Sequence, residues 1–448
     1  MRRRTPRRRP VATPPRAARL AARLAARTAT IGVIGLGHVG LPLAVALGRA
    51  GFRVVGVDAD PQRVAEVGRG ISPVADVRGP ALVRLVRQDR LAVTTRPAAL
   101  EAADAVVICV PTPLGKSHEP DISHVVAAAD DVARILRPGQ LVVLESTTYP
   151  GTTEEVLLPR LAAGGRRVGR DFFLAYSPER LDPGNRRHPL TRIPKVVSGV
   201  TGVCLGLARA LYEQVVVRVV PMSSPRAAET AKLFENTFRS VNVALVNELA
   251  IICRRLGVSV WEVIDAAATK PFGFTPFAPG PGIGGHCLPS DPHYLSWRTR
   301  LAGYEPRFIA FADEVNRGMP AHVVALAAEV LAQAGRRLDG ARVLALGVAY
   351  KAGVGDVRES PALEVIERLL ALGARVDYVD PHVPAVTLGG RRLAGLPWAG
   401  TPLERYDLVV VLTAHPEFDP ARVAREATLV LDTRNLTRGL ALPHLHRL

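Results

Sequence analysis

The residues best suited to chemistry lie in one short segment, 280-GPGIGGHCLPSDPHYLSW-297. Cys287 follows a run of glycines and prolines, and Asp291 comes four residues later. Gly284 and Gly285 would allow close approach of a substrate and expose backbone N–H groups, a setting that favours a thiolate and an oxyanion alike. The segment therefore predicts a nucleophilic cysteine, with a buried structural thiol as the alternative.

A second segment, 29-ATIGVIGLGHVGLPLAVALGRAGFRVVGVDAD-60, has the pattern of a dinucleotide-binding βαβ unit. Gly35, Gly37 and Gly40 suit a tight turn, an approaching pyrophosphate and close helix packing, and the helix N-terminus favours phosphate charge. Asp58 ends the second strand, where a carboxylate reaches the ribose hydroxyls and repels the extra phosphate of NADP. The segment predicts NAD as cofactor; a tight turn in another kind of α/β protein is the alternative. A hydride acceptor and a nucleophilic cysteine together are suited to oxidising an aldehyde to an acid.

Length and composition favour a multi-domain cytoplasmic enzyme. The 448 residues are enough for two to four domains at roughly 100–200 residues each. The cysteines show no CxxC pairing or zinc spacing, and His286 and His293 beside Cys287 have no further convergent ligand, so we expect reduced thiols and no metal. The sequence has no apolar run of about 18 uncharged residues, which predicts no membrane insertion.

Much of the net charge of +17 is local, because residues 1–28 contain ten arginines and no acids, leaving +7 for the rest. Such a head predicts a disordered or partly helical basic extension, and an organelle transit peptide would look similar. We expect no specific nucleic-acid partner, and removal of residues 1–28 should leave catalysis intact.

The alternation of strands and helices predicts an α/β fold with two doubly wound Rossmann-like domains joined by a long helical spine. Thr112, Ser146 and Thr147 follow strands at the sheet edge where ligands bind, or cap the next helices. Residues 225–256 predict one long helix, on which Lys232 and Asn236 share a face. Its predicted core stripe comprises Leu233, Phe234, Phe238, Val241, Leu245, Leu249 and Ile252. The predicted divisions are 1–28 as the extension, 29–220 as the NAD-binding domain, 221–330 as the central helical dimerisation domain, and 331–448 as the second Rossmann-like domain.

Taken together, GLGHVGLPLA, VPTPL, ESTTYPGTT, YSPERLDPGN, AKLFEN, GPGIGGHCLPSDP and GVAYKAGVGDVRESP resemble the UDP-glucose/GDP-mannose dehydrogenase family over residues 29–440. ATKPFGFTPFAPGPGIGGHC, with DPGN and RIPKV, looks most like the branch that acts on UDP-N-acetylglucosamine in surface polysaccharide synthesis. UDP-glucose members usually carry a second acid where this chain has Pro183.

The resemblance implies a four-electron oxidation of a sugar C6 alcohol by two NAD, through a thiohemiacetal and a thioester on Cys287. Lys232 and Asn236 match an oxyanion-holding pair, Asp291 and Thr147 match residues that position the proton-accepting water, and Glu179 matches an acid/base residue. The implied cofactor residues are Gly35, Gly37, Val39, Gly40, Asp58, Arg63, Thr112, Thr147 and Arg358. The implied substrate residues are Glu179, Lys232, Asn236, Phe277, Gly284, Lys351 and Arg434.

Other functions remain open at this point. UDP-N-acetylmannosamine or UDP-glucose is the alternative substrate, and a two-electron hydroxyacid or phosphogluconate dehydrogenase is the alternative enzyme. A non-catalytic nucleotide- or nucleic-acid-binding protein is the alternative from another class. We expect a UDP-sugar substrate and a homodimer or higher homo-oligomer as partners.

Overall fold

The structure is a computed structural model that describes residues 14–74, 76–115, 119–182, 184–185 and 187–448. Pro183, which bears on the choice of sugar, and the first 13 residues of the arginine-rich head lie outside the described residues. The chain divides into two compact units, residues 1–233 and residues 234–448. The three-part division predicted beyond residue 28 stays a prediction.

An eight-stranded sheet forms the centre of the first unit. Its strands are β1 (Thr30–Ile34), β2 (Arg53–Val57), β3 (Leu91–Thr94), β4 (Ala105–Ile108), β5 (Leu141–Leu144), β6 (Phe173–Tyr176), β7 (Lys195–Gly199) and β8 (Val219–Pro221). Their order is β3-β2-β1-β4-β5-β6-β7-β8, and every neighbouring pair is parallel except β6 and β7. The first six strands have the doubly wound order expected of a dinucleotide-binding domain. Strands β4, β5 and β6 are wholly buried because helices cover both faces of the sheet.

The helices of this unit follow the strands in alternation. They are α1 (Pro15–Ala25), α2 (Gly40–Ala50), α3 (Pro61–Gly68), α4 (Gly79–Arg87), α5 (Ser123–Ile135), α6 (Leu158–Leu161) and α7 (Gly202–Tyr212). Short 3-10 turns cover Pro97–Leu100 and Leu190–Arg192, and a π-helical turn covers Thr153–Leu157.

Helix α1 lies in the head that was predicted to be a disordered or partly helical extension, and the structure shows it as a helix packed into the core. Ala17, Leu20 and Leu24 are spaced by three and four residues, so they share one helical face, and all three are buried in the core of the first unit. Arg23 donates from Nη1 to Asp104 Oδ1 at 2.5 Å, and Asp104 Oδ2 also accepts the N–H of Thr30 at 2.8 Å. The helix is therefore part of this core.

Helix α8 (Pro225–Arg255) begins in the first unit and ends in the second. The predicted core stripe on it is largely wrong. Leu233 is buried, but Phe234 and Leu245 are 62% and 60% exposed, and Phe238 and Ile252 are exposed as well. The buried face of α8 is instead rich in polar side chains: Glu229, Lys232, Asn236, Thr237, Ser240 and Asn247.

The second unit contains a five-stranded parallel sheet made of β9 (Arg342–Leu346), β10 (Arg375–Val379), β13 (Leu408–Val411), β14 (Val430–Asp432) and β15 (Leu445–Arg447). An antiparallel hairpin, β11 (Ala385–Leu388) and β12 (Arg391–Ala394), lies between β10 and β13 in the chain. The order of the large sheet is β10-β9-β13-β14-β15. The helices are α9 (Val260–Ala268), α10 (Cys287–Leu301), α11 (Arg307–Gln333), α12 (Pro361–Ala371) and α13 (Pro420–Glu426), with a 3-10 turn at Leu403–Arg405.

Two doubly wound α/β sheets, the first parallel except between β6 and β7 and the second parallel throughout, and the long helix α8 confirm the predicted fold class. Among the described residues, every helix falls short of the combined length and apolarity needed to cross a membrane.

Candidate functional site

The glycine-rich turn after β1 leaves open space at one position. A Cβ on Gly35, whose φ is +90°, would lie 2.4 Å from the carbonyl oxygen of Cys109, and one on Gly40 would lie 1.8 Å from the carbonyl oxygen of Gly35. A Cβ on Gly37 would meet no described atom within 4 Å. Val39 is the N-cap residue of α2, and its side chain accepts no hydrogen bond from the first N–H groups of the helix. The turn thus offers backbone donors and room for a pyrophosphate, as predicted for NAD.

Asp58 lies at the end of β2 and holds the glycine-rich turn. Its Oδ2 accepts the N–H of Leu36 at 2.7 Å, and its Oδ1 accepts the N–H of Asp60 at 3.0 Å. Arg63 Nη1 lies 3.1 Å from both carboxylate oxygens. The carboxylate therefore has a structural task in addition to the predicted ribose contact, which stays a prediction.

The loops after β4 and β5 are tied together at the carboxyl edge of the sheet. Ser146 Oγ donates to the carbonyl oxygen of Val110 at 2.8 Å, so this hydroxyl joins two loops and does not cap a helix. Thr112 is buried and Thr147 is half-buried beside them. Glu229 on α8 accepts the N–H groups of Gly151 and Thr153 at 2.6 and 2.9 Å, which fixes the loop that follows Thr147.

Three buried residues form a charged network behind this edge. Lys195 Nζ lies 2.5 Å from Glu145 Oε1, and Tyr212 Oη donates to Glu145 Oε2 at 2.6 Å. Burial raises the pKa of Glu145 to about 7, although Lys195 lowers it. Burial alone would lower the pKa of Lys195, but Glu145 and Glu179 together raise it. Glu145, Lys195 and Tyr212 were not predicted as site residues from the sequence.

Glu179 lies next to this network. Its Oε1 accepts the N–H groups of Arg180 and Leu181 at 2.6 and 2.5 Å. Its Oε2 is buried, and no hydrogen bond to it occurs within the part of the chain that the structure describes. Lys195 Nζ lies 3.9 Å from Oε2.

In the second unit, Cys287 is the first residue of α10 and is exposed, whereas the other three cysteines are buried. A helix N-terminus stabilises negative charge, which favours a thiolate there. The contrast with Cys109 is clear, because burial and the nearby Glu145 raise the pKa of that thiol. Cys287 is thus the cysteine best placed to act as a nucleophile.

Asp291 lies one helical turn after Cys287 and is 2% exposed. Asn236 on α8 donates from Nδ2 to Asp291 Oδ2 at 2.6 Å, which joins α8 to the turn that carries the thiol. Lys232, one turn before Asn236 on α8, is only 8% exposed. This lysine is therefore largely shielded from solvent.

The glycines before Cys287 pack against the chain itself. A Cβ on Gly284 would lie 2.6 Å from the carbonyl oxygen of Glu359, and one on Gly285 would lie 2.9 Å from the Tyr350 ring. The N–H of Gly285 donates to the carbonyl oxygen of Arg358 at 3.0 Å. Because these two positions have no side chains, the loop before Cys287 can pack closely against residues 350–359. The glycines thus have this structural role in addition to any contact with the substrate.

The remaining predicted substrate and cofactor residues of this unit are Arg434, Arg358, Lys351 and Phe277. Arg434 Nε donates to the carbonyl oxygen of Leu412 at 2.9 Å, and burial lowers its pKa to about 10. Hydrogen bonds to Asp356 raise the pKa of Arg358, and the charge of Cys287 adds to this. Lys351 is half-buried, and the Phe277 ring lies 5.8 Å from the Phe238 ring, edge to face.

One group of potential metal ligands, His382, His415 and Glu417, also lies in the second unit. His415 Nδ1 accepts the N–H of Gly353 at 3.1 Å, and its Nε2 lies 3.0 Å from Asp380 Oδ2. Both ring nitrogens are therefore occupied, and His415 joins the loop after β9 to the end of β10 as a structural residue.

The predicted site residues fall into two groups. The first unit holds Gly35, Gly37, Val39, Gly40, Asp58, Arg63, Thr112, Thr147, Glu179 and Lys232. The second holds Asn236, Phe277, Gly284, Cys287, Asp291, Lys351, Arg358 and Arg434. The structure brings Asp58 together with Arg63, and Asn236 together with Asp291.

Three family models match the chain. Residues 29–216 match the NAD binding domain of the UDP-glucose/GDP-mannose dehydrogenase family, residues 226–318 match its central domain, and residues 344–439 match its UDP binding domain.

Individual relatives differ in their sugar. A UDP-N-acetyl-D-glucosamine 6-dehydrogenase of Pseudomonas aeruginosa is 37% identical over 87% of this chain and 91% of its own length. An NDP-N-acetyl-D-galactosaminuronic acid dehydrogenase of Ralstonia nicotianae is 37% identical over 91% of this chain and 96% of its own. The solved structure of a UDP-D-ManNAc dehydrogenase from Pyrococcus horikoshii superimposes with a TM-score of 0.84 at 32% identity, over 93% of this chain and 98% of that one.

Proposed function

Because the chain belongs to the UDP-glucose/GDP-mannose dehydrogenase family, whose members oxidise nucleotide sugars with NAD, we propose that its substrate is UDP-N-acetyl-D-glucosamine. The product is the corresponding uronic acid, used in surface polysaccharide synthesis. The DPGN and RIPKV segments, which look most like the branch acting on this sugar, support this choice.

The residues of the glycine-rich turn fit NAD, since Gly37 leaves open space beside the N–H groups at the start of α2. When bound, NAD supplies the acceptor for the two hydrides that leave the sugar C6. The chain's own task at this site is to hold the pyrophosphate with backbone donors and to fix the turn through Asp58.

Cys287 performs the covalent step in this proposal. Its thiolate attacks the C6 aldehyde carbon, forming a C–S bond, and the carbonyl oxygen becomes the oxyanion of a thiohemiacetal. Lys232 and Asn236 stabilise this oxyanion by charge and hydrogen bonding. Loss of the second hydride gives a thioester, and water replaces the sulfur. Overall one alcohol, two NAD and one water give one carboxylate, two NADH and three protons.

Asp291, Thr147 and Glu179 manage the protons and water. Asp291 is held by Asn236, so it presents a fixed carboxylate one turn from the thiol. Thr147 helps to position the water, and Glu179 accepts a proton when water attacks the thioester. The single observation that carries the proposal is the exposed Cys287 at a helix N-terminus, one turn before the buried Asp291–Asn236 pair.

The test counts NADH formed per UDP-sugar consumed and compares kcat/KM across UDP-N-acetylglucosamine, UDP-N-acetylmannosamine, UDP-N-acetylgalactosamine and UDP-glucose. Two NADH and the highest kcat/KM for UDP-N-acetylglucosamine are expected. One NADH per sugar would replace the proposal with a two-electron dehydrogenase, and a preference for another sugar would change the substrate. Cys287→Ser should retain NAD binding and form no uronate, while Cys253→Ala, at a buried thiol, should turn over normally.

We also propose that the protein is a homodimer through the exposed face of α8. Phe234, Phe238, Leu245 and Ile252 lie on that face, and an exposed apolar stripe of this kind is typical of an interface. Leu245→Glu should shift the mass measured by light scattering from dimer to monomer. Leu372→Glu, at an exposed leucine directly after α12, is the control and should leave the dimer intact. A monomeric wild-type protein would refute this proposal.

A further inference from the structure

Three neighbouring strand ends of the first unit meet at one buried charged network. Glu145 follows β5, Glu179 comes shortly after β6, and Lys195 is the first residue of β7. Strand β7 runs antiparallel to β6, so the start of β7 lies at the same edge as the ends of β5 and β6. This reversal brings Lys195 to the edge where Thr147 and Glu179 lie.

The lysine is held by several contacts at once. Its Nζ lies 2.5 Å from Glu145 Oε1 and 3.3 Å from the carbonyl oxygen of Pro178, and it lies 5.0 Å from the centre of the Tyr212 ring. Its side chain is 6% exposed, and that of Glu145 is fully buried. A lysine held in this way loses little further entropy when it acts on a neighbouring group.

One carboxylate oxygen of Glu179 is hydrogen-bonded, and the other has no hydrogen-bond donor among the described residues. The two N–H groups on Oε1 set the orientation of the carboxylate, and Oε2 lacks a hydrogen bond to any described residue. A buried carboxylate oxygen without a donor is costly unless a cation is near, and Lys195 is the cation that lies within 4 Å. Oε2 is thus the carboxylate oxygen whose acceptor positions no described donor uses.

We propose that Lys195, held by Glu145 and Tyr212, is a positioning residue that keeps Glu179 Oε2 as the proton-accepting atom for the water that hydrolyses the thioester. This assignment rests on the proposed function of Cys287. The water loses its proton to Oε2 while its oxygen bonds to the thioester carbon, and the C–S bond breaks to regenerate the thiolate. The proton then leaves with solvent.

The charges around Glu179 define how the network acts. Lys195 Nζ lies 2.5 Å from Glu145 and 3.9 Å from Glu179, so the two carboxylates compete for one cation. Cys109, Tyr212 and Arg180 are the other titratable groups nearby. Burial raises the pKa of Glu145 to about 7, so this competition grows as Glu145 loses its proton near neutral pH. Substitutions at Lys195 and Glu145 should therefore move the pH dependence of hydrolysis in opposite directions.

The experiment uses the full-length protein with its UDP-sugar and NAD, and compares Lys195→Met, Lys195→Arg and Glu145→Gln. Glu213→Gln, at an exposed acid one residue after Tyr212, is the matched control. Pre-steady-state NADH formation, the mass of the intact protein and the kcat–pH profile are measured. Thermal unfolding and NAD binding report whether each variant is folded.

We expect Lys195→Met to lower kcat at least tenfold and to release two NADH per site in a burst before slow turnover. An acyl group should accumulate on Cys287, and the acid limb of the kcat–pH profile should move up by about one pH unit. Lys195→Arg should restore part of the rate because it restores the charge. Glu145→Gln, which keeps the side-chain shape, should move the acid limb to lower pH.

The assignment would be overturned if Lys195→Met kept the wild-type kcat–pH profile and accumulated no acyl-enzyme. It would also be overturned if Lys195→Met and Lys195→Arg lowered kcat equally. Should Lys195→Met fail to fold, an unmoved acid limb in Glu145→Gln would overturn it. Failure of the proposed function can be told apart from failure of this assignment. In that case the wild-type protein itself would not form two NADH per sugar.

Discussion

Helices α1 and α8 divide their side chains between core and surface in opposite ways. Helix α1 is rich in arginine, yet three of its small or apolar side chains are buried in the core of the first unit. Helix α8 exposes phenylalanine and leucine and buries glutamate, lysine and asparagine. In α1, burial follows hydropathy and serves stability. In α8, the buried face is rich in polar residues, including the Lys232 and Asn236 to which we assign oxyanion stabilisation, and the apolar face is exposed.

The largest effect is expected from the apolar face of α1. Leu24→Ala should lower the free energy of unfolding by about 2–5 kcal/mol, because Leu24 is fully buried and its loss leaves a cavity. Thermal and urea unfolding measure the change, with the exposed Arg19→Ala as control. Removal of residues 1–28 should destabilise the protein further. An unchanged stability in both variants would mean that α1 is not part of the folded core in solution.

Next in size is an effect on catalysis from the buried polar face of α8. Lys232→Met should reduce kcat by about 10²–10³-fold, because it removes one oxyanion-stabilising cation while keeping the aliphatic stem. Unfolding temperature should change little, and Arg255→Met, at an exposed arginine on the same helix, should keep full activity. A loss of stability equal to that of Leu24→Ala, with kcat intact, would make this face structural and remove the contrast between the two helices.

The smallest effect is expected from the charged rim of α1. Arg23→Gln should lower the free energy of unfolding by about 0.5–1 kcal/mol, since Arg23 is 43% exposed on its side of the ion pair with Asp104. The difference from wild type should shrink as NaCl is raised, because salt screens an exposed pair. Arg16→Gln, whose pair with Asp171 is longer at 3.3 Å, should change stability less. A salt-independent loss would assign the effect of Arg23 to packing.

Local patterns predicted the strands well because period and turn residues are encoded in neighbouring positions. Asp58, for example, directly follows β2, at the strand end where the sequence places it. Helix α8 was also predicted, but its stripe was assigned to the wrong side, since periodicity shows which residues share a face and not what that face contacts. The apolar face of α1 was overlooked because its three buried residues are separated by arginines.

The site could be predicted in part for the same reason. Cys287 and Asp291 are four residues apart, so one helix places both, and the motif around them is local. Lys195 and Glu145 are 50 residues apart and meet only because β7 reverses direction beside β6. The position of Lys195 depends on sheet topology, which the sequence pattern around it does not reveal.

The docking of Gly284 and Gly285 against Tyr350 and Glu359 limits how this chain can be recombined with its relatives. A chimaera that exchanges residues 344–439 alone would set a foreign loop against the native glycines. Because Cys287 lies two residues after Gly285, any misfit between loop and glycines would displace its thiol. Crossover points that keep residues 280–361 from a single parent retain that fit. Engineering of sugar preference should therefore treat the cysteine loop and the loop after β9 as one inherited block.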